Sequence, residues 1–235
     1  MKKTIGIPIY RLGDNSHGIT NTYLEWISKF GNPRIIMPTD DLVDVDLLIL
    51  PGGRDMRPDN ESPGYFTGSS DVMQQHFYDK KLDMYIEAGI PIFGICLGFQ
   101  QLVTKFGCKL TQNLIWHEQS NARWSPAHEL ELLAGGNIGM FNLPTNIRKS
   151  FKVNSHHHQG LELDGLPKTT NVIPILRSKD DEVIEAFVHE NLAICGVQWH
   201  PEELYDSYSS LLIKQLLSID RTTSSSETRL AKASV

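Results

Sequence analysis

Along the first hundred residues, short continuous apolar runs alternate with longer segments whose apolar positions recur at helical spacing. "KTIGIPIY", "PRIIMP", "DLLILPGG" and "IPIFGIC" belong to the first kind. Each is bounded by Gly or Pro, and none alternates cleanly between apolar and polar, the pattern of strands buried on both faces. Between them, "TNTYLEWISKFG" puts Tyr23, Leu24, Ile27 and Phe30 on one side of a helix, with Gly31 as its stop signal. A helix is predicted over about residues 72 to 88, after a polar loop, and "LGFQQLVTKFG" predicts another, ending at Gly107. Strands alternating with helices predict an α/β fold with a doubly wound, mostly parallel sheet and helices on both faces.

From about residue 108 to 198 the rhythm shortens. "KLTQNL", "HELELL", "FKVNSHHHQ", "NVIPILRS", "VIEAFVHE" and "LAICGVQWH" read as brief strands separated by turns, a β-rich C-terminal half that is mixed or partly antiparallel. "PEELYDSYSSLLIKQLLSI" reads as one closing amphipathic helix, with Pro201 near its start and Glu202 and Glu203 in its first turn. The last residues are poor in apolar side chains and lack aromatics. The expected organisation is therefore a single domain over 1–219 and a disordered tail over 220–235.

Composition narrows the class without changing the fold. At 235 residues the chain can bury one large α/β core, and no Pro-, Gly- or Ser-rich linker divides it. A formal net charge of −6 with no basic run argues against nucleic-acid binding. The opening "MKKTIGIPIYRLGDN" has too short and interrupted an apolar stretch for a signal peptide, and no segment is long enough to span a membrane. Three cysteines, Cys96, Cys108 and Cys195, with no CxxC suit a reducing compartment. The expectation is a cytoplasmic, soluble protein.

Cys96 carries the candidate chemistry. Gly94-Ile95-Cys96-Leu97-Gly98 falls where a buried strand turns into a helix, and small flanking residues there leave room for a nucleophile on a sharp turn. The helix start adds free N–H groups and a positive dipole end, both favourable to a thiolate. A buried core cysteine is the alternative reading. A base and its orienting partner are offered by "GVQWHPEEL": His200 and Glu202, two apart, share a face of an extended segment. On the alternative, Glu202 only complements a helix dipole. "LILPGGRDMRP" places two glycines directly after a buried strand, where exposed amides can stabilise an oxyanion together with the Leu97 amide. In "VNSHHHQG" only His156 and His158 would share a strand face, and no carboxylate or cysteine stands beside them at a metal-site spacing. No metal site is expected there.

Together, "PGGRDMRP", "GICLGFQ", "VNSHHHQ", "DDEVIEA" and "GVQWHPE", in this order between about residues 46 and 203, resemble the class I glutamine amidotransferase superfamily and its gamma-glutamyl hydrolase-like branch. The resemblance implies a flavodoxin-like fold and a Cys96–His200–Glu202 triad. It also implies an oxyanion hole from the Gly53 and Leu97 amides, with substrate contacts from Gln100, Ser155 and His157. The implied reaction is cysteine-dependent hydrolysis of a γ-glutamyl amide through a thioester, needing neither metal nor organic cofactor. Leu97, where many hydrolases of that branch carry Arg, keeps open a glutaminase subunit feeding ammonia to a separate synthetase. A non-enzymatic binding protein on the same fold is the third reading. The implied partners are a small γ-glutamyl substrate and either a synthetase or a second copy of the chain, with no nucleic acid and no membrane. Residues 54 to 70 are expected to form a lid over the site.

Overall fold

The computed structural model describes residues 2–13, 16–56, 70–119, 122–147 and 151–220. Five strands form a parallel core: Asn32–Ile36, Thr4–Pro8, Leu47–Leu50, Ile92–Ile95 and Ile194–Val197, side by side in that spatial order. Numbered along the chain, the order is 2-1-3-4-5, that of flavodoxin-like doubly wound sheets. From Ile194–Val197 the sheet continues antiparallel through Val183–His189, Val172–Ser178, His128–Leu132 and Lys152–Val153. The parallel first half and the antiparallel extension after residue 108 both follow the sequence pattern.

The continuous apolar runs are explained by burial on both faces. In Leu47–Leu50, Leu47 and Ile49 enter one core while Leu48 and Leu50 enter the other. Against the first face pack Trp26 and Ile27 of the helix Asn21–Ser28, and Leu212, Ile213 and Leu216 of Ser207–Ser218. Against the second pack Leu82 and Tyr85 of Leu82–Glu87, and Phe99, Leu102 and Val103 of Leu97–Lys105. Each such side chain, fully withdrawn from water, contributes roughly 1.5–3 kcal/mol, so these two layers hold the strand ends in place.

Three elements depart from the sequence reading. The helix expected over 72–88 is two, Val72–Lys80 and Leu82–Glu87, broken at Lys81, whose ammonium donates to the Asp40 carbonyl at 2.6 Å. The closing helix is also two, Pro201–Leu204 and Ser207–Ser218, because Tyr205 adopts a left-handed conformation (φ 56°). The Asp206 carboxylate then starts the second piece by accepting the Ser209 N–H, and it also accepts the Trp199 indole N–H. "FKVNSHHHQ" is a strand only over Lys152–Val153. Beyond it, residues 154–159 form a loop tied to 112–119, with the Leu114 N–H on the His158 carbonyl at 2.7 Å and the His157 N–H on the His117 carbonyl at 3.2 Å. Most of the expected lid (57–69) and the expected disordered tail beyond Asp220 lie outside the described residues. No helix among those described is long and apolar enough to cross a membrane.

Candidate active site

Three adjacent parallel strands end at one edge of the sheet: Leu47–Leu50, Ile92–Ile95 and Ile194–Val197, with Leu50 opposite Gly94 and Ile95 opposite Val197. Their carboxyl ends deliver "PGG", Cys96 and "QWHPE" to one place, where open α/β sheets take ligands.

Cys96 sits between Ile92–Ile95 and the helix Leu97–Lys105 with φ 50° and ψ −103°, and its own N–H is held by the Val197 carbonyl at 2.9 Å. A residue with a Cβ pays roughly 1–3 kcal/mol for such a conformation, and nucleophile elbows are a known place for it. The flanking glycines are required by proximity. A Cβ on Gly94 would stand 2.6 Å from the Gly98 carbonyl oxygen, and one on Gly98 would overlap the Leu50 carbonyl. The turn is thus wedged between a strand and a neighbouring strand's backbone.

His200 and Glu202 are both buried, at 4% and 1% exposure, and His200 Nδ1 lies 2.8 Å from Glu202 Oε1. That leaves Nε2 for the Cys96 thiol, which hydrogen-bonds to the same imidazole. Burial alone would lower the His200 pKa, but the Glu202 carboxylate and the Cys96 sulfur outweigh it and raise the value to about 10. The imidazole thus sits between two groups that favour its charged form.

Two further residues fix this pair. Asn154, wholly buried, accepts the His200 N–H at 2.9 Å and donates to the His200 carbonyl at 3.2 Å and the Arg123 carbonyl at 2.6 Å. Tyr23 accepts the Gly52 N–H at 2.8 Å, and its hydroxyl also lies against Glu202. The sequence pattern places Tyr23 on a helix's apolar face, so nothing in it signals this polar task. Asn154 lies inside "VNSHHHQ" and was open to discovery there.

In the "PGG" turn, the Gly52 amide is occupied by Tyr23, and a Cβ on Gly52 would approach His200 Cε1 to 2.6 Å. Gly53 is exposed, and Gln74 fills the space where its Cβ would stand while donating from Nε2 to the Gly52 carbonyl at 3.0 Å. The Leu97 amide is in the first turn of its helix, where N–H groups have no intrahelical acceptor.

The remaining candidates point elsewhere. Gln100 Nε2 donates to the Gln159 carbonyl at 2.7 Å and lies 3.4 Å from Gln198 Oε1. Ser155 Oγ donates to the His117 carbonyl at 2.6 Å, and the His157 ring stacks near His117 with centroids 4.8 Å apart. The three histidines of the run diverge: His156 faces His200 (centroids 6.2 Å), His157 turns inward, and His158 Nε2 pairs with Asp55 at 2.8 Å. The inward turn brings His157 beside His117 and Glu185, residues distant in sequence that could hold a metal ion with it.

Residues 9–202 match the Peptidase C26 family. The chain is 30% identical over 197 residues to the glutamine amidotransferase-like protein YvdE of Lactococcus lactis, covering 77% of this chain and 79% of that one. It is also 30% identical over 175 residues to one of the subunits of the glutamine-hydrolyzing GMP synthase of Pyrococcus abyssi, covering 73% and 84%. Among solved structures it resembles PurLQS from Thermotoga maritima, with a TM-score of 0.61 at 19% identity over 97% of this chain, a likeness of fold.

Proposed function

The chain belongs to the Peptidase C26 family of class I glutamine amidotransferases, and on that premise we propose that it hydrolyses γ-glutamyl amide bonds with Cys96 as nucleophile. The observation that supports this is the hydrogen-bonded series Cys96–His200–Glu202 with the cysteine on a strained elbow. The Cys96 thiolate attacks the γ-carbonyl carbon of the substrate. Negative charge then develops on the carbonyl oxygen, towards which the Gly53 and Leu97 amides are offered as donors. The imidazolium of His200 protonates the departing ammonia or amine as the C–N bond breaks, leaving a γ-glutamyl thioester on Cys96. The now neutral His200 takes a proton from water, whose oxygen attacks the thioester. Glutamate leaves, and the thiolate–imidazolium pair is restored. Glu202 keeps the proton of Nδ1 directed to itself, so that Nε2 faces the chemistry throughout. Gln100, Ser155 and His157, whose polar atoms are engaged by the Gln159 and His117 carbonyls, would shape the glutamyl pocket from behind rather than touch the substrate.

A second reading, the glutaminase subunit of a synthetase, is favoured by a separate observation. Ile115, Trp116 and Trp124 are 72%, 88% and 71% exposed on the segment that flanks the Asn154 loop. Large exposed apolar side chains this close in sequence are a feature of association surfaces. One assay separates the readings: ammonia or amine release by the purified chain alone from glutamine and a panel of γ-glutamyl amines, with Cys96→Ala as control. Cys96-dependent turnover of a γ-glutamyl amine well above glutamine supports the free-standing hydrolase. Weak turnover of glutamine alone supports the synthetase-bound glutaminase. Absence of any Cys96-dependent turnover or acylation sinks both.

A further inference from the structure

Beside the triad lies a second cluster that the hydrolytic chemistry does not use. Glu185, on the strand Val183–His189, is fully buried, and neither of its carboxylate oxygens has a hydrogen-bond partner. Three imidazole nitrogens surround Oε1: His128 Nε2 at 3.2 Å, His117 Nδ1 at 3.6 Å and His157 Nε2 at 3.6 Å. His128 Nε2 and His157 Nε2 are themselves buried without a hydrogen-bond partner, so the contacts are close but not aligned as hydrogen bonds.

The outer nitrogens decide the tautomers. His157 Nδ1 is 3.0 Å from the Gln159 carbonyl, which can only accept, so Nδ1 carries the proton and Nε2 presents a lone pair to Glu185. His117 Nε2 is 2.8 Å from Asp181 Oδ2 and donates to that carboxylate, which turns Nδ1 inward. Ser155 stands 3.3 Å from that Nδ1, but its hydroxyl proton goes to the His117 carbonyl at 2.6 Å. Lone pairs of two imidazoles thus face a carboxylate oxygen, an arrangement that repels unless a positive centre stands among them. Protons can supply it only by charging buried imidazoles, each at a desolvation cost.

We propose that His117, His157 and Glu185, with His128 as fourth ligand, form a binding site for one structural zinc-type divalent cation. A tetrahedral zinc ion with bonds of about 2.0–2.2 Å places its ligand atoms roughly 3.3 Å apart, close to the 3.2–3.6 Å between Glu185 Oε1 and the three imidazole nitrogens. Three neutral imidazoles and one carboxylate are a donor set that suits zinc. The hydrogen bonds from His117 to Asp181 and from His157 to a backbone carbonyl are the outer contacts that orient metal-bound histidines. All four side chains are at most 9% exposed, so the ion would be closed off and would not act on substrate. It would lock the 154–159 loop against the strand that carries Glu185. The ligands escaped the sequence reading because they come from four separate segments, with no CxxC- or HExxH-like spacing among them.

The test uses untagged full-length protein, stripped with a chelator and then titrated with zinc, with metal content read by mass spectrometry and Tm by calorimetry. The expected result is one tightly held zinc per chain and a Tm higher by about 5 °C or more at saturation. Cys96→Ala should keep the ion, and Glu185→Gln and His157→Asn should lose it. Cobalt, replacing zinc, should give the intense visible bands of tetrahedral coordination, quenched by zinc; this readout on the wild-type chain stands even if Glu185→Gln fails to fold. Failure of the stripped wild-type chain to take up zinc or cobalt, with an unchanged Tm, would overturn the proposal and assign the cluster to protons. Loss of the ion in Cys96→Ala would equally overturn it, by placing the metal at the triad.

Discussion

Removing the Asn154 carboxamide is the most direct test of how His200, the proposed catalytic histidine, is held. In Asn154→Ala the His200 N–H and carbonyl lose partners at 2.9 and 3.2 Å, and the Arg123 carbonyl loses one at 2.6 Å. A buried polar group left unpaired costs about 1–3 kcal/mol. Arg123 is exposed, so its carbonyl can find water. The two His200 groups then set a destabilisation of about 2–6 kcal/mol, reduced if a water enters the space of the lost amide. The catalytic effect comes through geometry. The His200 backbone loses its clamp while Glu202 still holds the ring, so Nε2 shifts relative to Cys96, and a misplacement approaching 1 Å costs about 10²-fold in rate. The expected outcome is a kcat lowered roughly 10- to 100-fold with KM within a few-fold. Alkylation of Cys96 by a glutamine-mimicking electrophile should slow in parallel, with stability read by urea unfolding. Asn154→Asp keeps the acceptor for the His200 N–H and loses both donors, so it should retain more kcat than Ala if that one bond orients the ring. A variant destabilised by about 2 kcal/mol or more that keeps wild-type kcat and alkylation rate would refute the reasoning and reduce Asn154 to a packing residue.

Two shorter predictions follow from the same geometry. Cys96→Gly removes the nucleophile and also the strain of φ 50°, so it should abolish turnover while melting about 2–4 °C above wild type; an unchanged or lower Tm would show that the elbow stores no strain. His189 Nδ1 accepts the N–H groups of both Asn191 and Leu192 at 3.1 Å, and burial lowers its pKa to about 4. The unfolded histidine protonates first, near 6.5, so this contribution is complete above that pH and is lost as pH falls from about 6.5 towards 4. His189→Asn, whose amide oxygen can accept the same two bonds, should flatten the fall in Tm between about pH 7 and 5; an unaltered slope would rule His189 out as its source.

What could be read in the sequence is what depends on neighbours along the chain. The strand at Ile92–Ile95 and the glycines around Cys96 are local features, since a buried strand and a tight turn each leave a contiguous trace. His200 and Glu202 were legible because they are near neighbours in sequence, although they meet with Glu202 in the first turn of Pro201–Leu204 and not on an extended segment. The breaks at Lys81 and Tyr205 were not, because each is set by a distant partner or by one residue's left-handed turn. Strand periodicity through "VNSHHHQ" failed most clearly. It paired His156 with His158, whereas tertiary hydrogen bonds from 112–119 pull the segment into a loop and send its three histidines to three different places.

That loop gives the molecule a mechanical connection which neither half of the sequence contains. At one end Asn154 grips His200 by its backbone, and at the other the Gln159 carbonyl receives Gln100, from the helix that follows Cys96. Gln159 also exchanges two hydrogen bonds with the backbone of Met56, beyond the "PGG" turn. Between these ends, Ser155 and His157 are drawn inward towards His117 and Glu185. The proposed base, the helix that follows Cys96 and the turn offering the oxyanion amide are thus tied to one short segment, 154–159, whose middle lies against a buried carboxylate. A perturbation at Glu185 should therefore reach His200 without touching the triad. It should appear in kcat and in Cys96 alkylation before it appears in KM, since what moves is the alignment of groups already in place. The antiparallel extension, which supplies Glu185, accordingly does more than close the sheet: it lies against the segment that holds the proposed catalytic base.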